Sequence, residues 1–198
     1  MYTLIGIPQS RAFRPLWMLH ELGLEFEYRA EAPQSDPVLR HNPLGKVPVL
    51  LVDETPLTDS TAILMYLADR HDAFTRPAGT LDRARQDGVT HFLLDELDAA
   101  LWTAARHSFI LPEERRVPAI KDSLKWEVER ALTRLSERLG AHPFLMGDDM
   151  TVPDIIAGHC LGWAEVAGFP TGDANLSSYL ERLRDRPAYC KAAEAGEV

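Results

Sequence analysis

The stretch Asn42-Pro-Leu-Gly-Lys-Val-Pro-Val-Leu-Leu-Val-Asp-Glu-Thr-Pro-Leu-Thr-Asp-Ser60 decides how this chain is read. Val47 to Val52 is a short apolar run rich in β-branched residues, and Asp53 to Pro56 supplies turn residues after it. This predicts a strand, a tight turn and a second short strand. Pro48 lies inside the run. Proline has no N–H for a ladder, so it belongs at the start of the strand or on an edge, leaving the Val47 backbone free to bond something other than sheet. Asp59 and Ser60 are both good N-caps, and they open the apolar-periodic segment Ile63, Leu64, Leu67. A helix N-terminus presents unpaired N–H groups and partial positive charge, which suits a carboxylate. One segment thus offers an edge backbone and an anion-binding helix end, the two needs of a small extended peptide.

Upstream of it, Tyr2 to Gly6 reads as a first strand. The positions Phe13, Leu16, Trp17, Leu19 and Leu22 fall at helical spacing, with a start between Ser10 and Arg14 and a stop at Gly23. Pro15 is tolerable only in a first turn. Phe26 to Glu31 reads as a second strand, and 33–43 as loop with one short helical turn. A helix from Ser60 to about His71 closes the segment. The order β-α-β, then β-β-α, is that of a thioredoxin-like domain over 1–75, with 76–81 as linker.

Beyond the linker the pattern is helical throughout. Val89, Phe92, Leu93, Leu97, Ala100, Leu101 and Ala104 trace one face of a long helix. Ile120, Leu124, Val128, Leu132, Leu135 and Leu139 trace another, ended by Gly140. Thr151 and Asp154 form an N-cap and N3 pair with Pro153 in the first turn, opening a helix whose apolar face runs from Ile155 to Val166. Two short helices, Leu176 to Leu183 and Pro187 to Ala193, finish the chain. The fold class is therefore α/β plus all-α, with 82–198 as an all-helical domain.

Composition narrows the function classes. A net charge of −9 on 198 residues gives no basic footprint for nucleic acid. No run approaches the ~18 apolar residues of a membrane span. The start lacks the basic and long apolar regions of a secretory signal, and Cys160 and Cys190 form no C-x-x-C pair, so cytoplasm is the expected location. The seven histidines show no metal-ligand spacing, so no metal is expected.

Asn42-Pro43, Gly45, Val47-Pro48, Leu50 and Asp59-Ser60 closely resemble the glutathione-site segment of the glutathione transferases, where the proline is cis. The likeness continues in Phe144-Leu-Met-Gly147 followed by Thr151-Val-Pro-Asp154, and in Asn175 to Tyr189, so it covers essentially the whole chain. Glu54, Asp59 and His20 depart from the commoner residues at their places. The resemblance implies that glutathione is a co-substrate, added to small hydrophobic electrophiles. It also implies a homodimer in which Asp95 or Asp98 of the long helix reaches the partner's bound glutathione.

It implies roles as well. Ser60 would donate to the γ-glutamyl carboxylate, and Asp59 would attract the α-ammonium. Val47 would pair with the cysteinyl backbone, held in direction by Pro48, while Lys46 would meet the glycyl carboxylate. Gln34 and His41 are lesser candidates. A thiol near pKa 8.5 must be made more acidic to react at neutral pH. Ser10 in Pro8-Gln-Ser-Arg-Ala12 is the first candidate to do this by a hydrogen bond, and Arg11 the second by charge. A serine there also makes a good N-cap, and that reading stands beside the catalytic one. Phe13, Trp102, Arg106, His107 and Phe109 are candidate walls for the electrophile. The alternatives are a non-catalytic binding or transcription-associated adaptor of the same family, and a glutathione-dependent peroxidase or disulfide reductase.

Overall fold

A computed structural model describes residues 1–195. They form two compact units, one made of 1–78 together with the C-terminal segment from 184, the other of 79–183. The sequence predicts a single helical domain over 82–198. The contacts instead return the last helix to the first unit.

In the first unit, β1 (Tyr2–Ile5), β2 (Phe26–Arg29), β3 (Val49–Val52) and β4 (Thr55–Thr58) make one sheet in the order β2-β1-β3-β4. β1 runs parallel to β2 and antiparallel to β3, with Leu4 opposite Leu50 and Ile5 opposite Val49. Side chains alternate across the sheet. Ile5, Val49 and Leu51 pack with Val38 of α2 (Asp36–Leu39), which assigns Leu4 and Leu50 to the opposite face. α1 (Phe13–Glu21), α3 (Ser60–His71) and α9 (Pro187–Glu194) complete the unit, and α1 touches both of the others.

Local chemistry sets the ends. α1 stops in a Schellman motif: Gly23 at φ +63° donates to His20, and Leu24 to Leu19. β3 begins at Val49 rather than at Val47, because Pro48 has no N–H to continue the ladder. α1 begins at Phe13, so Ser10 sits in the turn before the helix and is not its N-cap.

In the second unit the long helix is continuous but not uniformly α. α4 (Leu81–Phe92) passes through a π-helical stretch (Leu93–Asp98) into α5 (Ala99–Ala105), and a second π-helical stretch (Arg106–Ile110) ends it. α6 (Ile120–Leu139), α7 (Val152–Val166) and α8 (Ala174–Arg184) follow. Leu93, Leu97, Leu101, Val128, Leu132, Leu135, Ile155 and Ile156 are all buried. Val166, expected on the apolar face of α7, is exposed.

α7 starts as its sequence predicts. Asp154, wholly buried, accepts from the Thr151 backbone (2.7 Å) and hydroxyl (3.1 Å), from the Leu145 N–H (2.9 Å) and from the Tyr179 hydroxyl (2.7 Å). Burial pushes its carboxyl up, and these four donors pull the other way. Among the described residues no helix is long and apolar enough to cross a membrane.

Candidate functional site

Gly6 fixes the geometry at the top of β1. Its φ is +143°, and a Cβ there would lie 2.8 Å from the Ala12 Cβ and 2.9 Å from the Val47 Cβ. The missing side chain lets the turn before α1 and the backbone before β3 close on each other. The Tyr28 hydroxyl donates to the Gly6 carbonyl (2.8 Å), holding the turn from the β2 side. Within the turn, the Ser10 hydroxyl donates to the Ile7 carbonyl (2.6 Å) and accepts from the Ala12 N–H (3.1 Å). Its one proton is therefore committed to the backbone. Arg11, next to it, is half-buried.

Asn42 builds the loop that delivers Val47. It is buried; its Nδ2 donates to the Lys46 carbonyl (2.8 Å) and its Oδ1 accepts from the Leu44 N–H (3.2 Å). Gln34 is part of the same scaffold, donating to the Leu44 carbonyl through its side chain (3.0 Å) and to the Gly45 carbonyl through its N–H (2.8 Å). The Lys46 side chain is exposed. The Val47–Pro48 peptide is cis, and Pro48 is buried. Among the described residues neither the N–H nor the C=O of Val47 makes a hydrogen bond. A strand-like edge is thus open for one residue just before β3.

The N-terminus of α3 is the third part. Asp59, at φ +71°, is the N-cap, and its Oδ1 accepts from Thr61 (2.9 Å) and Ala62 (3.0 Å). Asp59 is exposed. Ser60 is buried, and its N–H makes no hydrogen bond among the described residues. Its hydroxyl oxygen accepts from Nη1 of Arg14 (3.3 Å), which leaves the hydroxyl proton to donate outward.

Arg14 is fully buried in α1, so a guanidinium stands directly behind the Ser60 hydroxyl. Helix dipole and cation act in the same direction there, and both favour a carboxylate. Sequence reasoning passed over Arg14. The signal was its position: Trp17, Met18 and Glu21 follow it at i+3, i+4 and i+7, so it lies on the helix face that the core covers.

The residues expected to wall an electrophile are not all comparable. Phe13 packs inside the first unit, its ring centroid 6.2 Å from Trp17 and 5.1 Å from Tyr189. It belongs to the aromatic cluster that joins α1 to α9. Trp102, Arg106, His107 and Phe109 lie in the second unit; Phe109 is exposed, and the others are half-buried. His107 Nδ1 accepts from the Val117 N–H (3.1 Å). His41 is half-buried, its N–H bonded to the Val38 carbonyl (3.0 Å). Asp98 is buried with the Cys160 thiol 3.9 Å away, whereas Asp95 is exposed. Only Asp95 of that pair is on the surface.

Comparison with known proteins adds an independent line. Residues 1–69 match the family model described as glutathione S-transferase, N-terminal domain. The chain is 31% identical over 161 residues to glutathione transferase GST 23 of Zea mays, an alignment spanning 79% of this chain and 68% of that protein. It is 29% identical over 160 residues to elongation factor 1-gamma of Trypanosoma cruzi, spanning 80% of this chain and 38% of that one. Among solved structures, a sphingomonad glutathione S-transferase complexed with glutathione superposes with a TM-score of 0.85 at 28% identity, covering 99% of each chain.

Proposed function

This chain belongs to the glutathione S-transferase family, and from that premise we propose that its first unit binds glutathione as co-substrate and readies the thiol for transfer to small hydrophobic electrophiles. The observation that carries this reading is the unpaired Val47 backbone, beside Gly6 and the turn that leads into α1. An extended tripeptide needs one donor and one acceptor for its central residue and a cationic site at each carboxylate. Val47 supplies the first two. The N–H and hydroxyl of Ser60, with Arg14 behind them, take the γ-glutamyl carboxylate. Asp59 keeps a carboxylate oxygen for the α-ammonium, and Lys46 meets the glycyl carboxylate.

Ser10 and Arg11 then divide their work. The Ser10 hydroxyl would have to leave the Ile7 carbonyl to donate to sulfur, so we assign it to holding the turn. Arg11 lowers the thiol pKa by charge. In conjugation the sulfur lone pair forms the new C–S bond and the thiol proton passes to solvent. Trp102, Arg106 and Phe109 are the residues proposed to meet the electrophile. A cytoplasmic homodimer, with Asp95 as its cross-subunit contact to glutathione, completes the reading. Peroxidase or disulfide-reductase activity would use the same thiolate.

A second reading, a non-catalytic adaptor, is favoured by the similarity to elongation factor 1-gamma. Retention on glutathione–agarose with turnover of a panel of aryl halides, epoxides and peroxides supports the transferase. Retention without turnover supports the adaptor, and failure of both removes the glutathione site.

A further inference from the structure

The parallel ladder between β1 and β2 ends one bond early, at the residue on which the candidate site turns. The Gly6 N–H donates to the Arg29 carbonyl (2.9 Å). With Ile5 opposite Arg29, a ladder continued by one step would bring the Glu31 N–H to the Gly6 carbonyl. That N–H turns back instead to the Arg29 carbonyl (2.9 Å), which then takes two donors. No backbone N–H among the described residues reaches the Gly6 carbonyl, and the Tyr28 hydroxyl (2.8 Å) is its one donor there. A side chain of β2 thus takes the place of the missing ladder bond. Burial holds the Tyr28 phenol above its ordinary value, so it stays a donor at neutral pH.

What Gly6 does next depends on that bond. Glycine leaves its own backbone loose, and here φ is +143°. Ala12, directly after Arg11, and Val47, with its open edge, both close on the space where a Gly6 side chain would stand. A shift of Gly6 therefore moves the turn that carries Arg11, the Val47 edge, or both. All of these residues lie in the first unit.

We propose that Tyr28 is a positioning residue for bound glutathione: by holding the Gly6 carbonyl, its hydroxyl sets the Arg11 turn and the Val47 edge against the cysteinyl part of the tripeptide. This rests on reading the chain as a glutathione transferase. It adds to that site a residue that touches neither glutathione nor the electrophile.

Tyr28→Phe tests it. The change removes the hydroxyl and keeps the ring, which lines a cleft with Leu16, His20 and Phe26. Tyr2→Phe is the comparison: this second tyrosine stands at the other end of β1 and shares its hydroxyl with Nε2 of His71 (3.0 Å). In Tyr28→Phe the dissociation constant of glutathione should rise, and the bound thiol should titrate at higher pH. Turnover of chlorodinitrobenzene at neutral pH should fall about tenfold in kcat/KM, since misplacing a positioned group by about 1 Å costs up to about a hundredfold. Tyr2→Phe should leave all three at their natural values, whatever it does to the melting temperature. Para-aminophenylalanine at position 28, which restores an N–H donor, should recover most of the loss.

A Tyr28→Phe protein that melts lower but keeps the natural dissociation constant and thiol titration overturns the assignment. So does a Tyr28→Phe protein that fails to fold, because the hydroxyl is then structural. A natural chain that does not bind glutathione removes the transferase reading, and this role with it. A natural chain that binds without turnover leaves the constant and the titration to decide Tyr28 by themselves.

Discussion

Arg186 and Glu21, 165 residues apart in sequence, form a two-point ion pair that ties α9 to α1. Nε of Arg186 lies 2.5 Å from Oε1 and Nη2 lies 2.7 Å from Oε2. The Trp17 indole N–H also donates to Oε1 (2.8 Å), so one carboxylate satisfies three donors. The Glu21 side chain is almost buried, while Arg186 keeps some contact with water. Glu21→Gln should therefore destabilise the protein by about 1–3 kcal/mol, since the charge-assisted bonds from Arg186 and Trp17 to a nearly buried carboxylate are weakened or lost. Urea unfolding measures this, and a loss below about half a kcal/mol, the range of ordinary surface substitutions, would remove the pair from the account of stability.

Ser60→Ala removes a donor to a charged group without touching the helix cap, because Asp59 holds the N–H groups of Thr61 and Ala62. Glutathione binding should weaken by about 1–3 kcal/mol while the melting temperature stays within a few degrees. Calorimetric titration gives both the constant and the check: an unchanged constant takes Ser60 out of the site.

Ser10 and Arg11 separate by their readouts. Ser10→Ala frees the Ile7 carbonyl and the Ala12 N–H, so it should cost about 1 kcal/mol of stability and shift the bound thiol little. Arg11→Ala should raise the pKa of bound glutathione and reduce turnover most below that pKa. Thiolate absorbance followed against pH reads this out. A large shift in the serine variant with none in the arginine variant reverses the assignment.

Tyr179 donates to Asp154 from a fully buried position. Burial first, and then the neighbouring carboxylate, hold its phenol well above the ordinary value near 10. The folded state keeps this proton where the unfolded chain has lost it. Stability therefore falls as pH rises above about 10 and goes on falling toward the folded pKa. Tyr179→Phe should be less stable at neutral pH by about 1–3 kcal/mol, having lost a bond to a charged acceptor. It should also lose less stability than the natural chain between neutral pH and the alkaline range, as thermal melts across that range would report. Parallel pH curves for the two proteins would exclude the phenol as the source of the slope.

Sedimentation equilibrium should give twice the 22.2 kDa chain mass at micromolar concentration. Asp95→Ala should then weaken glutathione binding in the dimer. A monomer with full turnover would remove both the assembly and the cross-subunit contact.

Much of this was legible in the sequence, and the exceptions share a cause. Periodicity and turn residues located all four strands, and the Thr151–Asp154 pair named the start of α7 outright, because a capping box is a local interaction. The order of α1 and α3 around Val47 and Asp59 followed from the same local signals. Arg14 was missed because its partner Ser60 is 46 residues away, and only the fold makes them neighbours. Aromatic type does not report burial, so the sequence offers Phe13 as a candidate wall without showing that its ring packs on Trp17 and Tyr189. Its packing on Tyr189 depends on a residue 176 positions later, the difference of the two residue numbers. Ser10 was legible as a turn residue, but the direction of its hydroxyl depends on where the Ile7 carbonyl points.

The sharing of α9 with the N-terminal residues sets the order in which this protein can be made. A ribosome delivers β1, α1 and the rest of 1–78 first, then the whole of 79–183, and only then the helix that covers Phe13 and Trp17. The second unit is complete while the first still lacks its last element, so the part synthesised earliest is finished last. A premature stop after Leu183 would leave the later-made unit intact and strip the earlier-made one of its aromatic partner. The exposed face of α1 on such a nascent chain is where a chaperone that recognises aromatic surface would bind.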